Sequence, residues 1–124
     1  MFVDDEPNTV GIVKMLFELD QPEWIIHTAY DGESALAIAA EFPLNFALLD
    51  ISMPGMDGIE LCRRLRDMPL AAHIPIVMLT ALDTPQRREQ STAAGATDFW
   101  LKPFKPMKLA KDVAKIIADH QGQA

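Results

Sequence analysis

The sequence predicts an α/β fold, a parallel sheet with helices on both faces, and three observations carry that prediction. Short apolar runs alternate five times with helix-like stretches. The connections are long enough for crossovers and too long for hairpins, so the strands run parallel. The run Phe46 to Leu49 is continuously apolar and too short for a helix, as expected of a strand covered on both sides.

The elements follow in order. Met1 to Val3 is a short apolar start, and Asp5-Glu6-Pro7-Asn8 reads as a helix start with acids in its first turn. Val10, Val13, Leu16 and Phe17 then recur at helical spacing. Trp24 to His27 reads as the second strand. After Asp31-Gly32, the residues Ala35, Leu36 and Ala39 give a small-residue helix face suited to close packing on a sheet. The third strand ends on Asp50 and a Pro-Gly loop follows. Asp57 and Gly58 open a helix that turns Ile59, Leu61, Cys62 and Leu65 inward. Ile74 to Leu79 is the fourth strand. Thr84-Pro85 is an N-cap with Pro at the first helical position, and Gly95 suits the C-terminal stop. The apolar face of this fourth helix is thin, essentially Ala93 and Ala94. Phe99 to Leu101 is the fifth strand, and Leu109, Val113, Ile116 and Ile117 form the stripe of a last helix after Pro103 and Pro106.

Composition bounds the function. The chain has 124 residues, within the ~100 to 200 typical of one domain, and residues 1–124 are read as one. Hydrophobic residues make up 49% and charged residues 23%, which is ordinary globular usage. Cys62 is the only cysteine, so an internal disulfide is excluded. No stretch approaches the ~20 apolar residues of a membrane span, and nothing before Asp4 resembles a signal peptide, so a cytoplasmic location is expected. The net charge of −7 argues against direct nucleic-acid binding. Acids dominate the first half and bases the second, including Lys102, Lys105, Lys108, Lys111 and Lys115; two differently solvated faces suffice to explain this. The cluster Arg63, Arg64 and Arg66 is read as a solvated face, with a partner contact as the alternative. His27, His73 and His120 lack ligand spacing, and Cys62 lies on an apolar stripe as inert core.

The residues that close the strands carry the chemistry. Asp4 and Asp5 follow the first, Asp50 the third, Thr80 the fourth and Lys102 the fifth. In a parallel sheet these ends share one rim, where ligands bind. Each alone has a plain explanation: an acid pair charges a helix start, a threonine favours strands, a lysine is solvated. Together they make a site. Three crowded carboxylates raise one another's pKa unless a cation joins them, and hard oxygen ligands without Cys or His point to Mg²⁺ or Mn²⁺. A metal, an ammonium and a hydroxyl facing a carboxylate form a cage for a phosphoryl group, with Asp50 placed to attack phosphorus and form an aspartyl phosphate.

These residues resemble the receiver domain of two-component response regulators over essentially the whole chain. The resemblance rests on Asp4-Asp5, "LLDISMPGMDG", "LTA" at 79 to 81, "GATDFWLKPF" at 95 to 104, and their spacing. It implies a doubly wound, flavodoxin-like three-layer (βα)5 fold with strand order 2-1-3-4-5. It further implies that Asp50 is the phosphoacceptor, that Asp5 and Asp50 bind the metal directly, and that Asp4 acts mostly through metal-bound water. Ser52 offers its backbone carbonyl, Lys102 pairs with the phosphoryl group or a carboxylate, and the Lys102-Pro103 bond is cis. Thr80 and Phe99 match coupled switch positions that alter the surface of the fourth helix, fifth strand and fifth helix. The implied partners are a histidine kinase or phosphotransfer protein as donor and a downstream effector, with a homodimer on activation; the domain is a signalling switch and not an enzyme on a separate substrate.

The sequence departs from the family in a short first strand, in Phe99 where Tyr is common, and in Trp100 and Leu82; Ser52 and Leu82 sit where the family tunes acyl-phosphate hydrolysis. Other classes fit worse. A flavodoxin-like cofactor binder needs a phosphate loop where Asp4-Asp5-Glu6 would repel phosphate. A haloacid-dehalogenase-type phosphatase wants an acid at Ser52, and a P-loop protein needs Gly-x-x-x-x-Gly-Lys. The closest rival is a degenerate receiver that acts only as a protein-interaction module. A stand-alone relay and the receiver of a longer regulator both fit the sequence after the last helix.

Overall fold

The computed structural model describes residues 1–122, so the last two residues of the expected 1–124 unit lie outside the described residues. Five strands form one parallel sheet in the order β2-β1-β3-β4-β5: β1 (Phe2–Val3), β2 (Thr28–Ala29), β3 (Ala47–Asp50), β4 (Ile76–Thr80) and β5 (Asp98–Leu101). The helices between them are α1 (Pro7–Asp20), α2 (Gly32–Glu41), α3 (Gly58–Arg66), α4 (Pro85–Ala93) and α5 (Pro106–Gly122).

Successive strand residues face opposite sides, so the sheet has two cores. Phe2, Leu48, Val77 and Leu79 meet Val10, Val13 and Phe17 of α1 and Leu109, Ala110 and Val113 of α5. Val3, Leu49, Ile76 and Met78 meet Ala35 and Ala39 of α2 and Leu61, Cys62 and Leu65 of α3. This double burial explains why β3 and β4 are apolar at every position until their last residues, Asp50 and Thr80.

Four expectations need correction. The second strand is Thr28–Ala29, not Trp24 to His27. Phe2 pairs with Thr28, so this register leaves Trp24 to Ile26 opposite no residue of β1, and an extended segment without a neighbour makes no ladder. The acids at the start of α1 precede the helix instead of occupying its first turn: Glu6 is the N-cap, and its carboxylate accepts the Asn8 N–H at 3.1 Å. Ala93 is exposed, and α4 turns Ser91 and Ala94 inward in its place.

Arg66 is not on a solvated face. Its guanidinium donates to the carbonyls of Gly95 at 2.9 and 2.8 Å and of Ile74 at 2.6 Å, so it ties α3 to the segments before β4 and β5. Arg63 and Arg64 are solvated as expected, and both pair with Glu60. Gly95 ends α4 with φ of 98°, a left-handed conformation natural to glycine.

Candidate functional site

Asp4, Asp5, Asp50, Thr80 and Lys102 sit where strands give way to loops on one rim, and Phe99 lies within β5. Asp4 follows β1 directly. Its Oδ1 accepts the Glu6 N–H at 2.9 Å, which fixes the carboxylate while leaving Oδ2 free for another partner. Asp50 is the last residue of β3 and only 4% exposed. The chain turns away immediately after it: the Ile51 carbonyl accepts the Gly58 N–H at 3.0 Å, and a Cβ at Gly58 would collide with the Asp50 carbonyl oxygen. The Ser52 N–H donates to Asp50 Oδ1 at 3.3 Å.

Lys102 reaches the acids from the end of β5, the edge strand of the sheet. Its backbone N–H bonds the Thr80 carbonyl at 2.7 Å, and the peptide bond to Pro103 is cis. The ammonium donates to Asp4 Oδ2 at 2.9 Å and lies 3.5 Å from Asp50 Oδ1. Thr80 is fully buried, and its Oγ1 accepts the Leu82 N–H at 3.1 Å. Asp5 is exposed, yet Asp4, Asp5 and Asp50 each offer a carboxylate oxygen, all within 4.8 Å of one another.

The electrostatics follow from that crowding. Burial pushes the Asp50 carboxyl up to about 6, the charge of Asp4 adds to the rise, and Lys102 and the Ser52 N–H only partly offset it. Burial pulls the Lys102 ammonium down, but its bond to Asp4 and the charge of Asp50 outweigh that, and its pKa is raised overall. Three carboxylates against one ammonium leave a negative excess. All the side-chain donors are hard oxygens, so the cluster fits a divalent Mg²⁺-type cation, which would relieve the repulsion that lifts Asp50.

The Phe99 ring is half-buried on β5, and the Arg88 guanidinium lies 4.7 Å from its centroid. Arg88 is itself held by Asp83 at 2.6 Å. Sequence reasoning missed this cap, and also the contact of Arg87 Nη1 with Ser52 Oγ at 3.4 Å. The Thr84 cap was the available signal for Arg87, since it places that residue in the first turn of α4 and close to the strand ends. The histidines show no ligand arrangement: His27 stacks on Phe42 with centroids 4.7 Å apart, and His73 and His120 are exposed. Burial raises the Cys62 thiol, whose Sγ donates to the Ala94 carbonyl at 3.5 Å, which suits a structural side chain.

A parallel sheet ordered 2-1-3-4-5 between two helical layers is the flavodoxin-like architecture of CheY-like proteins. The family profile described as the response regulator receiver domain matches residues 1–114, and the chain belongs to that family. It is 41% identical over 109 residues to the response regulator PleD of Caulobacter vibrioides, covering 88% of this chain and 24% of that protein. Among solved structures, the chemotaxis protein CheY4 of Vibrio cholerae matches with a TM-score of 0.84 at 31% identity, over 93% of this chain and 94% of that one. The receiver domain of the sensor histidine kinase PA1611 from Pseudomonas aeruginosa matches with a TM-score of 0.82 at 26% identity, over 94% of each chain. That structure has a magnesium ion coordinated in its active site cleft. The chain spans from about a quarter to about half the length of the curated relatives it matches. Among the described residues no helix is long and apolar enough to cross a membrane.

Proposed function

We propose that this receiver domain is a working phosphoacceptor switch, in which Asp50 takes a phosphoryl group from the phosphohistidine of a histidine kinase or phosphotransfer protein. One observation carries the reading: a nearly buried carboxylate at a strand end lies 3.5 Å from Lys102 Nζ and within a cluster of three carboxylates whose oxygens could hold a cation.

Asp50 is held by its strand and by the Ser52 N–H, so a carboxylate oxygen can attack phosphorus while the N–P bond breaks and the imidazole departs with the electron pair. Lys102 needs little movement to follow a charge that shifts from carboxylate to phosphoryl oxygens. The Thr80 hydroxyl already accepts a bond from Leu82, so its proton is free to be donated to a phosphoryl oxygen. A divalent cation held by Asp4, Asp5 and Asp50, with the Ser52 carbonyl as a further oxygen, would supply neutralisation of the transferred charge.

Thr80 and Phe99 are the switch. Movement of Thr80 toward the phosphoryl group vacates space that the Phe99 ring enters, and α4, β5 and α5 then present a changed surface to an effector or to a second copy. Two packings a few kcal/mol apart are enough. Water then hydrolyses the acyl phosphate and resets the domain, at a rate set by the residues flanking the site, Ser52 and Leu82.

Treatment with acetyl phosphate and Mg²⁺ followed by intact-mass spectrometry tests this reading. The wild type should gain the mass of one phosphoryl group, lost again on standing, and Asp50→Asn should gain none while melting cooperatively. A degenerate receiver would gain nothing in either form.

A further inference from the structure

Arg88 projects from α4 over the Phe99 ring of β5, with its guanidinium carbon 4.7 Å from the ring centroid. Both carboxylate oxygens of Asp83 grip the same guanidinium, at 2.6 and 3.1 Å. A guanidinium held in such a fork keeps its orientation, so the ring meets a cation fixed in place. On the other side of the contact, the Asp98 carboxylate accepts the Phe99 N–H at 2.8 Å and the Trp100 Nε1–H at 3.0 Å, which steadies the backbone that carries the ring.

Asp83 belongs to the loop that leaves Thr80. The Thr80 Oγ1 accepts the Leu82 N–H at 3.1 Å, and Asp83 follows, just before the Thr84 cap of α4. A line of contacts therefore runs from the buried Thr80 hydroxyl through Leu82 and Asp83 to Arg88 and the Phe99 ring. Little else holds α4 at this place. Within its span it buries only Ser91, whose hydroxyl has no hydrogen-bond partner among the described residues, and Ala94 is buried at its C-terminal end. With so little apolar area buried, one cation–π contact weighs heavily in where α4 rests against β5.

We propose that Arg88 is a positioning residue, a latch that keeps Phe99 in its resting place until Thr80 moves. Movement of the Thr80 hydroxyl toward a phosphoryl oxygen pulls on its bond to Leu82, shifts Asp83 and draws the guanidinium off the ring. The latch stabilises the resting packing alone, so a domain without it populates the switched packing more. This inference rests on Asp50 being the phosphoacceptor and on Thr80 and Phe99 being the switch.

Half-saturation by beryllofluoride at saturating Mg²⁺, followed in backbone amide NMR spectra, tests the latch. Arg88→Ala should lower the half-saturating concentration about fivefold, the worth of one cation–π contact removed from the resting state. Arg88→Gln keeps most of the side chain's bulk without its charge and should show the same fall. Asp83→Asn, which loosens the guanidinium, should show a fall of about twofold. In a Phe99→Leu background Arg88→Ala should change nothing further, because the contact acts through the ring. A residue that merely steadies the fold would lower the melting temperature and leave half-saturation alone. Half-saturation in both Arg88 variants equal to or above that of the wild type overturns the inference, as does a fall that persists in full without the ring. An Asp83→Asn value equal to the wild type overturns the tether through the loop. A wild type with no saturable response to beryllofluoride overturns the Asp50 reading itself, and this inference with it.

Discussion

Helices α3 and α4 are both 9 residues long, follow adjacent strands, and begin with a side-chain cap, Asp57 or Thr84. They are anchored very differently. Helix α3 buries Gly58, Ile59, Leu61, Cys62 and Leu65, and Arg66 bolts its end to neighbouring carbonyls. Helix α4 buries only Ser91 within its span, with Ala94 at its end, and the Ser91 hydroxyl has no hydrogen-bond partner among the described residues. The helix after Asp50 is thus a fixed mount, whereas the helix after Thr80 buries one serine and one alanine and otherwise meets β5 through Arg88 over the Phe99 ring. The proposed switch needs this asymmetry: its phosphoacceptor must not move, and the reporting surface must have a second place to go.

Substitutions can break or sharpen the contrast. The largest effect belongs to Leu61→Ala, which empties a fully buried site in α3 and should cost about 3 to 4 kcal/mol in urea unfolding. Asp50→Asn should go the other way in metal-free protein. The gap between about 6 and the ordinary 3.8 is worth roughly 3 kcal/mol at most. Because the folded carboxyl binds its proton more tightly than the unfolded chain, wild-type stability should fall as pH rises from 3.8 to about 6 and stay low above that. Asp50→Asn should remove that slope and be the more stable protein near neutrality, while Mg²⁺ should stabilise only the wild type strongly. A wild type whose stability climbs through that window would contradict the crowding argument.

Arg66→Ala should cost about 2 kcal/mol, since its charge-assisted bonds to carbonyls hold α3. Ser91→Ala should be neutral or stabilising by about 1 kcal/mol, because it deletes a buried unpaired hydroxyl. A large loss from Ser91→Ala would mean that α4 is anchored as firmly as α3.

The candidate site's rim was legible because apolar runs that stop on Asp50, Thr80 and Lys102 announce both the strand and its end. The layers were legible for the same reason, from strands apolar on both faces. The second strand was misplaced because its ladder depends on where β1 lies, not on Trp24 to His27 themselves. Arg66 escaped notice because its partners are backbone carbonyls of Ile74 and Gly95, which carry no side-chain signature. Ser91 and Ala93 exchanged places because a polar residue turned inward cannot be told from one turned outward without the packing around it.

The asymmetry between α3 and α4 is tested most directly by backbone amide exchange with and without beryllofluoride and Mg²⁺, the beryllofluoride standing in for the phosphoryl group proposed for Asp50. The account predicts changed protection through Thr84 to Ala94 and in β5, with Gly58 to Arg66 unchanged. Exchange altered equally in both helices, or in α3 alone, would contradict it.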